Sequence, residues 1–208
     1  RIGALKAVVF QDKLGTLHDK AVRVADLAGR IAETCDSDVE LARRAALLAK
    51  CDLLTEMVGE FPELQGTMGR YYARADGEPA ELAEALNEQY LPRFSGDALP
   101  SSPTGRALAI ADRIDTLVGI FGIGQVPTGD KDPYGLRRAA LGLLRIIIEA
   151  ELSLDMRDLI AAATQPFTQL FDSASVAEQV YDFTMERLRA YYADSEIAPD
   201  VFEAVLAR

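Results

Sequence analysis

Thr104-Gly-Arg-Ala-Leu-Ala-Ile-Ala-Asp-Arg-Ile-Asp-Thr-Leu-Val-Gly-Ile-Phe121 sets Ile110, Ile114, Leu117, Val118 and Phe121 at helical spacing with no proline among them. This predicts a helix from Thr104 to about Gly119. It is bounded before by a turn-rich connection between Pro92 and Pro103, a candidate subdomain boundary, and after by a loop from Gly122 to Asp132.

Working outward, Leu17 to Glu33 predicts a helix with Val22, Ala25 and Ile31 available for one face. Ser37 or Asp38 caps a second helix through Leu41, Ala45, Leu48 and Leu53, expected to continue past Met57 and Val58 towards Gly59. Phe61-Pro62 breaks it, because proline lacks an amide donor and biases the residue before it away from helical geometry. A short helix over Glu63 to Ala73, one from Pro79 to about Tyr90, and a stop at Leu91-Pro92 follow. On the far side, Asp132-Pro133 supplies a cap followed by proline at the first helical position, so a helix is expected to start there. Asp155 to Ala163 and Val176 to Tyr192 add two more, and Pro199 opens the last. No strand is expected. The fold class is all-α: an orthogonal helical bundle over 1–100, completing helices and a basic loop–helix over 101–150, and a C-terminal helical subdomain over 151–208.

Composition limits function. The chain has 208 residues, 49% hydrophobic and 26% charged, enough for a sizeable core. The longest apolar run, Leu141 to Ala150, is too short for a membrane span and is interrupted by Gly142, Arg145 and Glu149. Arg1 stands where an initiator Met or a targeting segment would begin, which suggests an excised cytoplasmic segment. Cys35 and Cys51, with no CxxC, read as reduced thiols. A net charge of −11 argues against a protein that coats nucleic acid non-specifically. Charge is uneven, however: Ser101 to Arg145 holds six positive residues against four acids, and 146–208 holds four against twelve. The middle is where an anionic partner is tolerated.

Within that middle, Lys131, Arg137 and Arg138 surround an expected helix N-terminus, where free amides and the helix dipole also favour an anion. The competing reading pairs Arg137 and Arg138 with Asp130, Asp132 or Glu149. Arg70 and Arg74, beside Tyr71 and Tyr72, form a second candidate grip for nucleic acid, with one tyrosine expected in the core. Asp112 and Asp115 make a paired-carboxylate site physically possible, but acids on such a helix usually solvate its outer face or pair with arginine. His18, the one histidine, reads as a surface residue at a helix start, and the glycines of Gly119-Ile-Phe-Gly-Ile-Gly read as turn glycines.

Five ordered stretches carry a family resemblance. They are Phe10-Gln-Asp-Lys-Leu-Gly, Ala49-Lys-Cys-Asp-Leu-Leu-Thr-Glu-Met-Val-Gly-Glu-Phe-Pro-Glu-Leu-Gln-Gly, Gln89-Tyr-Leu-Pro-Arg, Ala111-Asp-Arg-Ile-Asp-Thr-Leu-Val-Gly-Ile-Phe, and Pro127-Thr-Gly-Asp-Lys-Asp-Pro-Tyr-Gly-Leu-Arg-Arg-Ala-Ala-Leu-Gly. Together they resemble the beta subunit of the bacterial tetrameric glycine-tRNA ligase, with a looser match around Asp200-Val-Phe-Glu-Ala-Val-Leu-Ala.

The resemblance implies a tRNA-binding and assembly segment of an enzyme that joins glycine to its tRNA using ATP and magnesium. Glycine activation lies in the alpha subunit of a tetramer of two alpha and two beta chains. The segment itself holds no cofactor, binds neither DNA nor membrane, and is expected to be inactive alone. The first half also resembles the HD superfamily of metal-dependent phosphohydrolases, with the motif broken. Its first histidine position falls near Lys20, the His-Asp pair near Cys51-Asp52 or Ala49-Lys50, and only Asp112 keeps the distal acid. Two carboxylates and a thiol make a poor transition-metal site, so no metal is expected. The alternatives are a divergent phosphohydrolase acting through Asp112 and a purely structural connector.

Overall fold

The computed structural model describes residues 1–194. The fold is all-α apart from one small hairpin. After a 3-10 turn over Ile2–Ala7, strands β1 (Val9–Gln11) and β2 (Gly15–Thr16) pair antiparallel, which corrects the expectation of no strands. The turn between them closes locally: the Lys13 amide donates to Gln11 Oε1 at 2.6 Å and Gly15 takes φ +88°. A side chain at Gly15 would collide with Asp19, whose carboxylate is held in a capping box with Thr16. The hairpin thus feeds directly into α1 (Leu17–Thr34), which follows the expected helix closely.

Asp38 caps α2 (Val39–Leu48), its side chain accepting from the Leu41 amide at 2.9 Å. The expected continuation to Gly59 does not occur. The chain leaves the α conformation at Lys50, makes a 3-10 turn over Cys51–Leu54, and restarts at a Thr55 cap as the short α3 (Glu56–Glu60). The break is fixed by Asp52, whose carboxylate accepts from the Gly66 amide at 2.6 Å and the Gly69 amide at 3.2 Å. A 3-10 turn at Pro62–Leu64 follows, so α4 (Thr67–Ala75) starts four residues later than expected. Gly66, at φ +80°, lies where a Cβ would meet the Tyr90 ring at 2.7 Å. Next come α5 (Ala80–Glu88) and, after the Pro92–Pro103 connection, α6 (Pro103–Gly122).

Helix α6 is the axis of the molecule: fifteen of its 20 residues are buried, and it packs against α1, α2 and α5. Its N-terminus is organised by acids from α5. Glu81 accepts from the Thr104 amide and hydroxyl, Glu88 accepts from Ser101 and Ser102, and Ser102 in turn caps the Gly105 amide. Two of the expected turn glycines are packing residues instead. Gly119 lies against Leu14 and Phe167, and Gly122 against the Phe171 ring, while Gly124 does turn the chain at φ +77°.

Helix α7 (Leu136–Glu149) begins later than Asp132-Pro133 predicts, behind Gly135 at φ +64°. Asp132 still caps it from a distance, accepting from the Leu136 and Arg137 amides at 2.8 and 2.9 Å. Helix α8 (Met156–Thr164), capped by Asp155, and α9 (Ser173–Asp194) close the fold against α6, with the Phe121 and Phe183 rings 5.1 Å apart. One apolar cluster runs from Leu14 to Val180 and joins all the long helices. The helix expected at Pro199 lies outside the described residues. Among the described residues no helix is long and apolar enough to cross a membrane.

Candidate functional site

Helix α6 is apolar on nearly every side, so a charge on it is either partnered or costly. Asp115, 1% exposed, is fully partnered. The Lys20 ammonium of α1 donates to Asp115 Oδ2 at 3.0 Å, and the Arg23 guanidinium one turn later donates to Oδ1 at 2.7 Å. The expectation that these acids solvate an outer face is therefore corrected, whereas pairing with arginine is observed. Lys20 also donates to the Thr116 hydroxyl at 2.8 Å and the Asp112 carbonyl at 3.2 Å.

Asp112 sits one turn earlier, between two ammonium groups. Lys20 Nζ lies 3.2 Å from Oδ1, as an ionic contact, and Lys50 Nζ donates to Oδ2 at 3.3 Å. Burial pushes the Asp112 carboxyl up, but the two lysines outweigh it and hold it well below the usual carboxylate range. Lys50 also donates to Gln89 Oε1 at 2.8 Å, and Gln89 Nε2 donates to the Ala49 and Leu86 carbonyls. The Phe10 ring covers Lys20 and the Tyr90 ring covers Lys50, at 4.8 and 4.5 Å.

Of the broken-motif positions, Lys20, Lys50 and Asp112 converge. Cys51 and Asp52 do not. Cys51 packs with Leu5, Leu17 and Ala21, where burial pushes its thiol up. Asp52 spends one oxygen on Gly66 and Gly69, and its other oxygen, Oδ1, has no partner among the described residues. These residues do not fit a metal ion, because ammonium groups occupy both faces of the one acid that would hold it. Among the described residues no group of three or more His, Cys, Asp and Glu side chains could hold one.

Above the cluster opens a cleft of about 370 Å³, between the end of α5, the face of α6 and the start of α7. Arg113 forms part of its floor, with its guanidinium donating to the carbonyls of Gln89, Leu91 and Pro92 among others. This nearly buried cation clamps the chain where α5 ends. Burial lowers it to about 10, so it remains charged at neutral pH. Arg93 and Arg138 line the opening with Tyr134.

The predicted basic residues fall into two groups. Lys131 is exposed, its backbone bridged to Thr128, and Arg137 donates to the Gly129 carbonyl at 2.7 Å. Among the described residues no ion pair engages Lys131, Arg137 or Arg138, because Asp132 is committed to the amides of α7 and Glu149 to Arg145. Pairing of Arg137 and Arg138 with those acids is therefore not observed. Arg70 and Arg74, in contrast, both lie on Glu84. Tyr71 is 54% exposed and Tyr72 half-buried, so neither enters the core as expected. His18 is the second residue of α1 and partly exposed, as expected. Both cysteines are free thiols.

Sequence reasoning missed Arg23, Arg93 and Arg113, and named Lys50 without giving it a role. The usable signal was the apolar character of α6, which requires partners for its charges.

The family model described as "Glycyl-tRNA synthetase beta subunit" matches residues 1–207. Among curated proteins the chain is 57% identical over its whole length to the glycine–tRNA ligase beta subunit of Marinobacter nauticus and 55% identical to that of Chromohalobacter salexigens. It is 56% identical over 98% of its length to the corresponding protein of Klebsiella pneumoniae. In each case it spans about 30% of the relative's length. The chain therefore belongs to the glycyl-tRNA synthetase beta subunit family.

Proposed function

We propose that this chain is the tRNA-binding and assembly segment of a glycine-tRNA ligase beta subunit. It supports ATP- and magnesium-dependent attachment of glycine to its tRNA in the cytoplasm. Glycine activation belongs to an alpha subunit, with which the complete beta chain forms a tetramer of two alpha and two beta. The observation that carries the tRNA role is the ridge of Lys131, Arg137 and Arg138, three cations without acidic partners among the described residues, in a chain of net charge −11. Free cations at a helix start suit a phosphate backbone, and pairing with neighbouring acids would have cancelled them. Arg70 and Arg74 are the weaker contacts in this reading, since each must first part from Glu84.

The ammonium groups against Asp112 support a scaffold without hydrolase chemistry over a metal-dependent phosphohydrolase. The test is glycine charging by reconstituted alpha and full-length beta subunits, comparing wild type with Arg137→Ala/Arg138→Ala as tRNA concentration varies. A rise in tRNA KM equivalent to about 1–3 kcal/mol, with ATP–pyrophosphate exchange unchanged, is expected when charge-assisted hydrogen bonds are removed. Unchanged charging would make these arginines structural and favour a connector role.

A further inference from the structure

The cleft over Asp112 has a property that its broken metal motif does not explain. Its lining holds Arg93, Arg113 and Arg138 against a single acid, Asp112, whose charge is already balanced by Lys20 and Lys50. The buried layer beneath adds no net negative charge, because Lys20, Arg23 and Lys50 stand against Asp112, Asp115 and, near Tyr90, Asp52. In a chain with eleven excess negative charges, this is a positive basin with low-dielectric walls, which concentrates an anion's attraction.

Two guanidinium groups at the rim are available to a ligand. Among the described residues the Arg93 side chain makes one long hydrogen bond, to Asn87 at 3.4 Å, and nearby Asp97 is held by the Arg93 and Ala98 amides. Arg138 is exposed and lies back over Gly135, where a Cβ would come within 2.9 Å of its terminal nitrogen. Arg113 spends its donors on main-chain carbonyls and contributes charge alone. The partly exposed Tyr134 lines the same cleft and offers an aromatic surface to a sugar or base. A volume of about 370 Å³ suits a small ligand and not a double helix.

We propose that this cleft binds the phosphate of a single nucleotide unit without a metal ion, Arg93 and Arg138 gripping the phosphate and Tyr134 meeting the base. Lys20 and Lys50 neutralise the acid that a bound cation would otherwise neutralise. The inference goes beyond the tRNA reading, because a free nucleotide satisfies it as well as an unpaired nucleotide of an RNA strand.

The test is calorimetric titration of the intact beta subunit with AMP, and separately with an end-phosphorylated single-stranded RNA tetramer, both with EDTA present. At least one probe is expected to bind, and Arg93→Gln/Arg138→Gln is expected to weaken it about tenfold or more, as for removing two charge-assisted hydrogen bonds. Both substituted residues lie at the rim, and a thermal melt matching wild type shows that the variant folds. Arg157→Gln, an exposed arginine of α8 paired with Glu178 and absent from the cleft lining, leaves binding unchanged. Binding of AMP alone identifies a free nucleotide as the source, and binding of the tetramer alone identifies a nucleic-acid strand. Lys131→Ala, outside the cleft, separates this site from the tRNA ridge by weakening tRNA binding while leaving these titrations unaltered. Absence of binding by both probes in EDTA, or binding that persists in the double variant, overturns the proposal.

Discussion

Lys50 Nζ stands 3.3 Å from Asp112 Oδ2, joining a residue at the break after α2 to the middle of α6 across 62 positions of sequence. With Lys20 on the other oxygen, the contact turns an acid on a buried helix into part of a network that ties α1 and the break after α2 to α6. The network has measurable consequences for stability.

Asp115 is the network's most buried charged residue, and it holds both Lys20 and Arg23. Its removal leaves two cations short of a partner inside the protein, a loss of about 3–5 kcal/mol for buried pairs. Asp115→Asn is expected to lower the unfolding free energy in urea by about 3 kcal/mol. Asp26→Asn, which breaks the exposed pair with Arg30, is expected to cost under about 0.5 kcal/mol. Equal effects would deny the network its structural role.

Asp112 makes stability pH-dependent. Its folded carboxyl is held below the ordinary range, because the two lysines outweigh burial, whereas in the unfolded chain it titrates near about 4. The folded form therefore binds its proton less readily. The contribution is fully present above about pH 4 and is lost as pH falls from there through the folded value. Asp112→Asn is expected to be less stable than wild type at neutral pH and to lose less on acidification from about pH 5 to about pH 3. Parallel pH profiles from urea titrations would contradict this.

Gly105 sits in the first turn of α6, where a Cβ would meet Glu88 Oε2 at 2.0 Å and Ser102 Oγ at 2.8 Å. Alanine is the better helix former by about 1 kcal/mol, yet here it would displace the carboxylate that organises the helix start. Gly105→Ala is expected to lower the melting temperature, with a loss of about 1–3 kcal/mol. A gain would show that Glu88 can swing aside without cost.

What was legible in the sequence were the features governed by local chemistry. The apolar period of α6, the cap at Asp38, and the proline break at Pro62 all behave as their residue types dictate. The errors came where a side chain reaches beyond its own turn. Asp52 binds amides 14 and 17 residues away and so ends the helix that the apolar pattern would have continued. Asp132 caps α7 from four residues back, which moves the helix start past Pro133 to Gly135. In the candidate site, Lys20 was marked by family resemblance alone and Asp112 also by its spacing from Asp115, but nothing local joins Lys20 to Asp112, 92 positions apart. Lys50 could not be chosen over Cys51-Asp52 until the break after α2 fixed which side chain faces α6.

The tRNA role of the ridge at the start of α7 is tested most directly by the salt dependence of tRNA binding to the intact beta subunit. For wild type and Lys131→Ala/Arg137→Ala/Arg138→Ala, the logarithm of the binding constant is plotted against that of salt concentration. Removing one phosphate-binding cation is expected to flatten the slope by about 0.7–0.9, so the slope of the triple variant should be shallower by roughly 2, with weaker binding at low salt. An unchanged slope and affinity would contradict tRNA binding at this ridge.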